Sequence, residues 1–300
     1  MNRVVKILIL VLIIFYLFYG IDISKIDFTI FSSFGLFLTC ISILISQLIL
    51  SLRWMKMSSL SFIVSFETIS ISSTLNMILP ARLGEISKAI YLKKFYNYNY
   101  HKSISIIFME RFFDVIVLFL LMCLWAYNYF SNTTLNISML ILAAVIFIVI
   151  LFFKSKKILK LIKKIPSKYI RVYVQKIYKN INGLLKNPYS MLTYTLVLWF
   201  LYLLSAIVFF MYSVDFNLTL KDILELFIFS TIALSLPLTP AGVGTFESAI
   251  VFFLSHHGVD KIDALISATV YHILIFAVNF ILFYFVLFTK KLTLKDLIKR

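Results

Sequence analysis

Charged residues are expensive inside apolar runs, and this sequence places several there. Arg82 and Glu85 lie within the apolar stretch 60–95, and Glu110, Arg111 and Asp114 stand near the start of another, 104–127. Glu110 and Asp114 are one helical turn apart and so share a face. Such charges are expected to face the protein interior and to pair, Arg82 or Arg111 with Glu85, Glu110 or Asp114. Two roles are open to them: an ion-pair network that pins helices together, or direct contact with a substrate. In the second, the arginines suit a phosphate and the carboxylates a cationic or sugar part.

A short phrase occurs twice among these charges. Pro80-Ala81-Arg82-Leu83-Gly84 is followed by Glu85, and Pro240-Ala241-Gly242-Val243-Gly244 is followed three residues later by Glu247. Proline and glycine in a membrane-length run break the helix and free backbone groups that hydrocarbon cannot satisfy, so the break needs a covering of protein or a cavity. Paired breaks in two halves of a chain point to a transport site. Thr239 is a good cap with Pro240 as the first helical residue, while Leu79-Pro80 offers the same proline without a side-chain cap. Both half-helices are then expected to begin deep in the membrane and to turn their free N–H groups and positive dipole ends towards a phosphate or carboxylate. Gly84, Gly242 and Gly244 allow another backbone or a headgroup close approach.

The elements that must hold these residues follow from composition. Of 300 residues 62% are hydrophobic and 14% charged, too few polar groups for a soluble surface. The expected fold is an all-α polytopic membrane protein. Apolar runs at 7–20, 28–52, 104–127, 137–153, 190–212 and 263–288 predict about six full spans. The stretches 60–95 and 223–256, each broken at its proline, predict two re-entrant helical hairpins, because their limbs are short for a 30 Å core. The net charge of +16 is concentrated between Lys154 and Lys186, where eleven Lys or Arg stand without one Asp or Glu. That loop is expected in the cytoplasm, and its charge also attracts anionic lipid headgroups.

With both termini inside, the remaining loops obey the same bias, the first hairpin dips from the cytoplasm and the second from outside. The two halves then form an inverted-topology repeat, about 28–127 and 190–288, within a single membrane domain 1–300. The basic loop 154–189 joins them and a short basic tail, 289–300, follows. Lys88, Lys93 and Lys94 are read as interfacial anchors, and Glu67 stays open between a polar path and packing. Cys40 and Cys123 read as separate packing thiols.

No zinc-protease helix, phosphate-cradling loop, nucleophile elbow or dinucleotide fingerprint occurs in the sequence. No cofactor or metal is expected, nor is nucleic acid as a partner. Leu79-Pro80-Ala81-Arg82-Leu83-Gly84-Glu85, Glu110-Arg111-Phe112-Phe113-Asp114 and Pro237-Leu238-Thr239-Pro240-Ala241-Gly242-Val243-Gly244-Thr245-Phe246-Glu247 resemble the motifs of the lysylphosphatidylglycerol synthase transmembrane region, the flippase-like domain family. The resemblance implies a prokaryotic protein of the cell membrane that moves a lipid between leaflets, an aminoacylated phosphatidylglycerol in the best-known members. Some members are suspected of handling polyprenyl-linked sugars.

It also implies where this chain departs. The sequence stops twelve residues after the run 263–288, without the aminoacyl-transferring domain of the lysyl-lipid synthases, so it is expected not to be a lysyltransferase itself. The family usually carries an arginine in the last long span, where His272 stands here. The substrate-binding set expected from motif and resemblance is Pro80, Arg82, Gly84, Glu85, Glu110, Arg111, Asp114, Pro240, Gly242, Gly244, Glu247 and His272. Three functions remain in view: lipid translocase, secondary transporter of a solute or ion, and scaffold for a separately encoded lipid synthase or glycosyltransferase. Association of several copies is compatible with each.

Overall fold

Where the sequence breaks its apolar runs, the helices break too. The computed structural model describes residues 27–79, 83–126, 137, 140, 141, 144, 155–214, 216–235, 239–293 and 296. The expected span 7–20 and nearly all of 137–153 lie outside the described residues. The rest is all-helical, with no strand among the described residues: α1 Ser33–Ser58, α2 Phe62–Ile78, α3 Gly84–Tyr96, α4 Tyr100–Ala126, α5 Lys156–Lys163, α6 Lys168–Leu184, α7 Tyr189–Val208, α8 Leu220–Ser235, α9 Thr245–His256 and α10 Lys261–Lys290.

Among the described residues three helices are long and apolar enough to cross a membrane: α1, α7 with its π-helical extension Phe209–Ser213, and α10. They match the expected spans 28–52, 190–212 and 263–288. α4 is as long, but it contains Glu110, Arg111 and Asp114. The segment 154–189, read above as a loop, is instead largely the helices α5 and α6. Its apolar residues recur at helical spacing, and Ile162, Tyr178 and Ile181 are buried while Lys160, Lys163, Lys164, Lys168, Lys176 and Lys179 lie outward.

The chain divides into two compact units. The first holds the described residues up to Leu48, Ile69–Ser87 and those from Phe200 onward; the second holds Ile49–Thr68 and Lys88–Trp199. In the first unit α8 and α9 form an antiparallel hairpin against which α10 packs. Its interior combines Phe209, Phe210 and Tyr271, with ring centroids 4.8 Å apart for Phe209 and Tyr271, and a hydrogen bond between the Tyr271 and Ser205 hydroxyls at 2.6 Å. Lipid gives no hydrophobic drive between helices, so close packing and such hydrogen bonds must hold them. Outward, Ile273, Ile281, Tyr284, Phe285 and Phe288 of α10 remain exposed, a surface suited to lipid.

Close approach is set by small residues. A side chain at Gly84 would meet the Asn76 amide nitrogen at 2.4 Å and the Ser72 carbonyl oxygen at 2.5 Å, so the start of α3 lies directly on the end of α2. The Ser72 hydroxyl donates to the Gly84 carbonyl at 2.9 Å, and the Asn76 amide donates to Glu85 at 3.2 Å. Gly84→Ala is therefore expected to destabilise this turn by about 1–3 kcal/mol, since the obstacles are backbone atoms. A thermal unfolding series in detergent checks it. Gly35 makes the same kind of contact with the π-helical extension, 2.3 Å from a built Cβ to the Tyr212 carbonyl oxygen.

At the start of α8 Thr219 and Asp222 cap one another: the Asp222 carboxylate accepts the Thr219 amide at 2.8 Å and the Asp222 amide donates to the Thr219 hydroxyl at 3.3 Å. Burial pushes the Asp222 carboxyl up. The hydrogen bonds from Thr219, with His257 and Lys221 nearby, outweigh it and hold the group below the ordinary carboxylate range.

Candidate functional site

Two clusters of buried polar groups stand out, one in each unit. In the second unit the centre is Glu110 of α4, whose side chain is fully buried. Its Oε1 accepts from Arg53 Nη2 at 3.2 Å and its Oε2 from Lys88 Nζ at 2.8 Å. Arg53 turns its other terminal nitrogen, Nη1, to Asp114 at 2.7 Å and to the Thr195 hydroxyl at 3.2 Å. Asp114 also accepts from Arg111 Nη2 at 3.2 Å and from the Trp199 indole at 3.4 Å. Lys88 lies over the Trp54 ring, 4.8 Å from its centroid. Helices α1, α3, α4 and α7 thus meet through charge at one place.

The pairing differs from the sequence expectation in its cations. Arg111 does bind Asp114, but the partners of Glu110 are Arg53 and Lys88, neither of which was expected there; Arg82 lies outside the described residues, as does Pro80. Lys88 is not an anchor reaching water: it is 2% exposed. α1 continues to Ser58, which carries Arg53 into the helix rather than into a loop. A signal was present in that Glu110 and Asp114 on one face demand cations, and Arg53 directly follows the apolar run 28–52. Lys93 and Lys94 do lie toward the surface, whereas Glu67 is buried and accepts from the Tyr91 hydroxyl at 2.9 Å and from Tyr96.

Among the described residues the cluster includes the cations Arg53, Lys88 and Arg111 and the carboxylates Glu110 and Asp114. Arg53, Lys88 and Glu110 are sealed in, while the Arg111 side chain keeps 38% of its surface exposed. Arg111 thus presents a partly open guanidinium, a group whose planar fork suits phosphate oxygens.

In the first unit the second break has its own geometry. Pro240–Gly242 forms a tight 3-10 turn, and Ala241, Gly242 and Gly244 all take positive φ, 53°, 78° and 85°. Glycine bears such angles at little cost and alanine does not. The helix therefore starts at Thr245, and the expectation that Pro240 is its first residue and Thr239 its cap is corrected. Glu247 does the capping instead, its Oε2 accepting the Gly244 amide at 2.7 Å. The other oxygen, Oε1, accepts from His272 Nδ1 at 2.6 Å, with both side chains nearly buried. At the first break α3 starts at Gly84, not at Pro80, with Glu85 in its first turn bonded to Asn76. At Gly244 the free amide expected at the break is met by the chain's own Glu247.

Of the expected set, the structure brings Glu110, Arg111 and Asp114 together in one cluster and Gly244, Glu247 and His272 in another. Gly84 and Glu85 form the turn of the first hairpin, and Pro240 and Gly242 that of the second.

Family comparison decides what these clusters belong to. The model of the lysylphosphatidylglycerol synthase TM region matches residues 3–282. The chain belongs to that family. A UPF0104 membrane protein of Methanocaldococcus jannaschii is 26% identical over 206 residues, covering 67% of this chain and 87% of that protein. No solved structure matches. As a lysylphosphatidylglycerol synthase membrane region with three membrane-length helices, the protein is a multi-pass membrane protein.

Proposed function

We propose that this membrane region is a lipid translocase, carrying an anionic or aminoacylated phospholipid or a polyprenyl-phosphate-linked lipid between leaflets of a prokaryotic cell membrane. The observation that carries the reading is the partly exposed Arg111 guanidinium at the edge of the buried Arg53–Lys88–Glu110–Asp114 cluster. Arg111 is the group that contacts a headgroup phosphate there. Glu110 and Asp114 act as positioning residues: they hold Arg53 and Lys88 and aim Arg111. Substrate headgroups are charged and acyl tails are not, so a protein moving such lipids needs charge inside and apolar surface outside. The exposed aromatic and aliphatic face of α10 fits that demand.

The architecture that goes with this function is six full spans and two opposed re-entrant hairpins in an inverted repeat, both termini in the cytoplasm and the basic helices α5 and α6 beside anionic headgroups on the inner face. Leaflet exchange follows from alternate opening of the repeat to either side.

Reconstitution into liposomes with labelled phosphatidylglycerol, lysyl-phosphatidylglycerol or polyprenyl-phosphate sugar tests the reading through loss of label from one leaflet. Transfer of one of these above protein-free vesicles is the expected outcome. Folded protein that moves none of them sinks the translocase reading and leaves a scaffold for a separate synthase or glycosyltransferase, or a solute transporter.

A further inference from the structure

The phosphate chemistry assigned to Arg111 makes no use of the acid–base pair in the first unit. His272 lies about three turns into α10, and Glu247 in the first turn of α9. They are 5% and 8% exposed. Phe246 and Phe276 wall the imidazole, with ring centroids at 4.7 and 4.5 Å. Nδ1 faces the carboxylate, and Nε2 makes no hydrogen bond to a described residue. An ionised carboxylate only accepts, so the neutral ring places its proton on Nδ1 and keeps a lone pair on Nε2.

In that state the pair carries one negative charge among apolar rings. One proton taken from water at Nε2 brings the pair to zero net charge, and imidazole is the side chain suited to bind and release a proton. Glu247 is also the cap of Gly244, at the positive-φ break. Once its charge is compensated by imidazolium, its hold on the Gly244 amide weakens, because hydrogen bonds to a bare charge are the stronger ones.

Other titratable groups on the packed elements stand away from the pair. Lys221, Asp222 and Glu225 of α8 and His256 and His257 of α9 gather at the far end of the hairpin, where His257 Nε2 is 3.4 Å from Asp222. Asp260, Lys261 and Asp263 open α10 beside that end, Lys290 closes it, and Tyr271 is bonded to Ser205. Among the described residues, Glu247 and His272 have no hydrogen bond or ion pair with any other charged side chain.

We propose that Glu247 and His272 form a proton-binding site, and that its occupancy switches the Gly244 break and couples proton uptake to lipid movement. The coupling, though not the proton site, rests on the translocase reading above.

The test uses the full chain in nanodiscs with isotope-labelled histidine and glycine. The sequence holds four histidines, so a variant with His101, His256 and His257 changed to Gln leaves His272 as the single ring signal, and His272→Gln supplies the control. Across a pH series the His272 ring is expected to change protonation state with the Gly244 amide moving in step, and Glu247→Gln is expected to break that correspondence. A ring that keeps one state throughout, or that titrates while the Gly244 amide stays still, overturns the proposal.

In liposomes an acid-inward gradient is expected to change lipid transfer on the order of tenfold in wild type and not in His272→Gln. Transfer indifferent to the gradient defeats the coupling but leaves the translocase reading standing. Absence of any lipid transfer defeats that reading, and the spectra then judge the proton site alone.

Discussion

Glu110→Ala is expected to destabilise the protein by about 3–5 kcal/mol, enough to remove most folded material from a detergent extract. The carboxylate is the shared partner of Arg53 and Lys88, and all three side chains are almost wholly buried. Its loss takes the shared carboxylate from two buried cations on α1 and α3, whose contacts with Asp114, Thr195 and the Trp54 ring do not replace it. Desolvation of each cation was already incurred on folding, and the compensating charge is what disappears. Glu110→Gln keeps the shape and some hydrogen bonding, so an intermediate loss is expected. Thermal unfolding of the three proteins, followed by size-exclusion recovery, measures the series. A Glu110→Ala protein that melts with wild type contradicts the cluster as described, because it requires Arg53 and Lys88 to reach water.

The same cluster shows what was legible in the sequence. Glu110 and Asp114 announce themselves by helical spacing inside an apolar run, and their need for cations follows from electrostatics alone. Which cations serve is a matter of tertiary packing: Arg53 and Lys88 are 57 and 22 residues distant from Glu110, and each stands at an apolar boundary where snorkelling is the ordinary local outcome. Local reasoning assigned Lys88 to the interface because nothing in its neighbourhood reveals Glu110.

The breaks were legible as breaks for the same local reason, since proline and glycine act on their own backbone. The register of the new helix was not. Thr239 and Pro240 form a good start signal, but positive φ at Ala241, Gly242 and Gly244 postpones the helix until Thr245. Glu247 three residues beyond Gly244 has the spacing of a capping box, a sign that sequence reading attached to substrate rather than to the backbone. The segment 154–189 carried a helical apolar period beneath its lysines, and charge counting concealed it. Gly35 gave no sign at all, because only the close approach of Tyr212 makes its missing side chain matter.

Arg111 separates the functional account from a merely structural one. Asp114 keeps Arg53 at 2.7 Å and the Trp199 indole when Arg111 is removed, and Arg111 itself is more than one-third exposed, so Arg111→Ala is expected to cost less than about 1 kcal/mol of stability. Its effect on transport is expected to be large. A charge-assisted contact to phosphate is worth about 1.5–3 kcal/mol, so leaflet transfer of the phosphate-bearing lipid is expected to fall on the order of ten- to a hundredfold, with Arg111→Lys intermediate because it lacks the bidentate fork. The decisive measurement is the rate of headgroup-specific leaflet transfer in liposomes by Arg111→Ala beside wild type, both shown to be folded. A folded Arg111→Ala protein with strongly reduced transfer is the predicted result; transfer equal to wild type would contradict the assignment of the phosphate to this cluster.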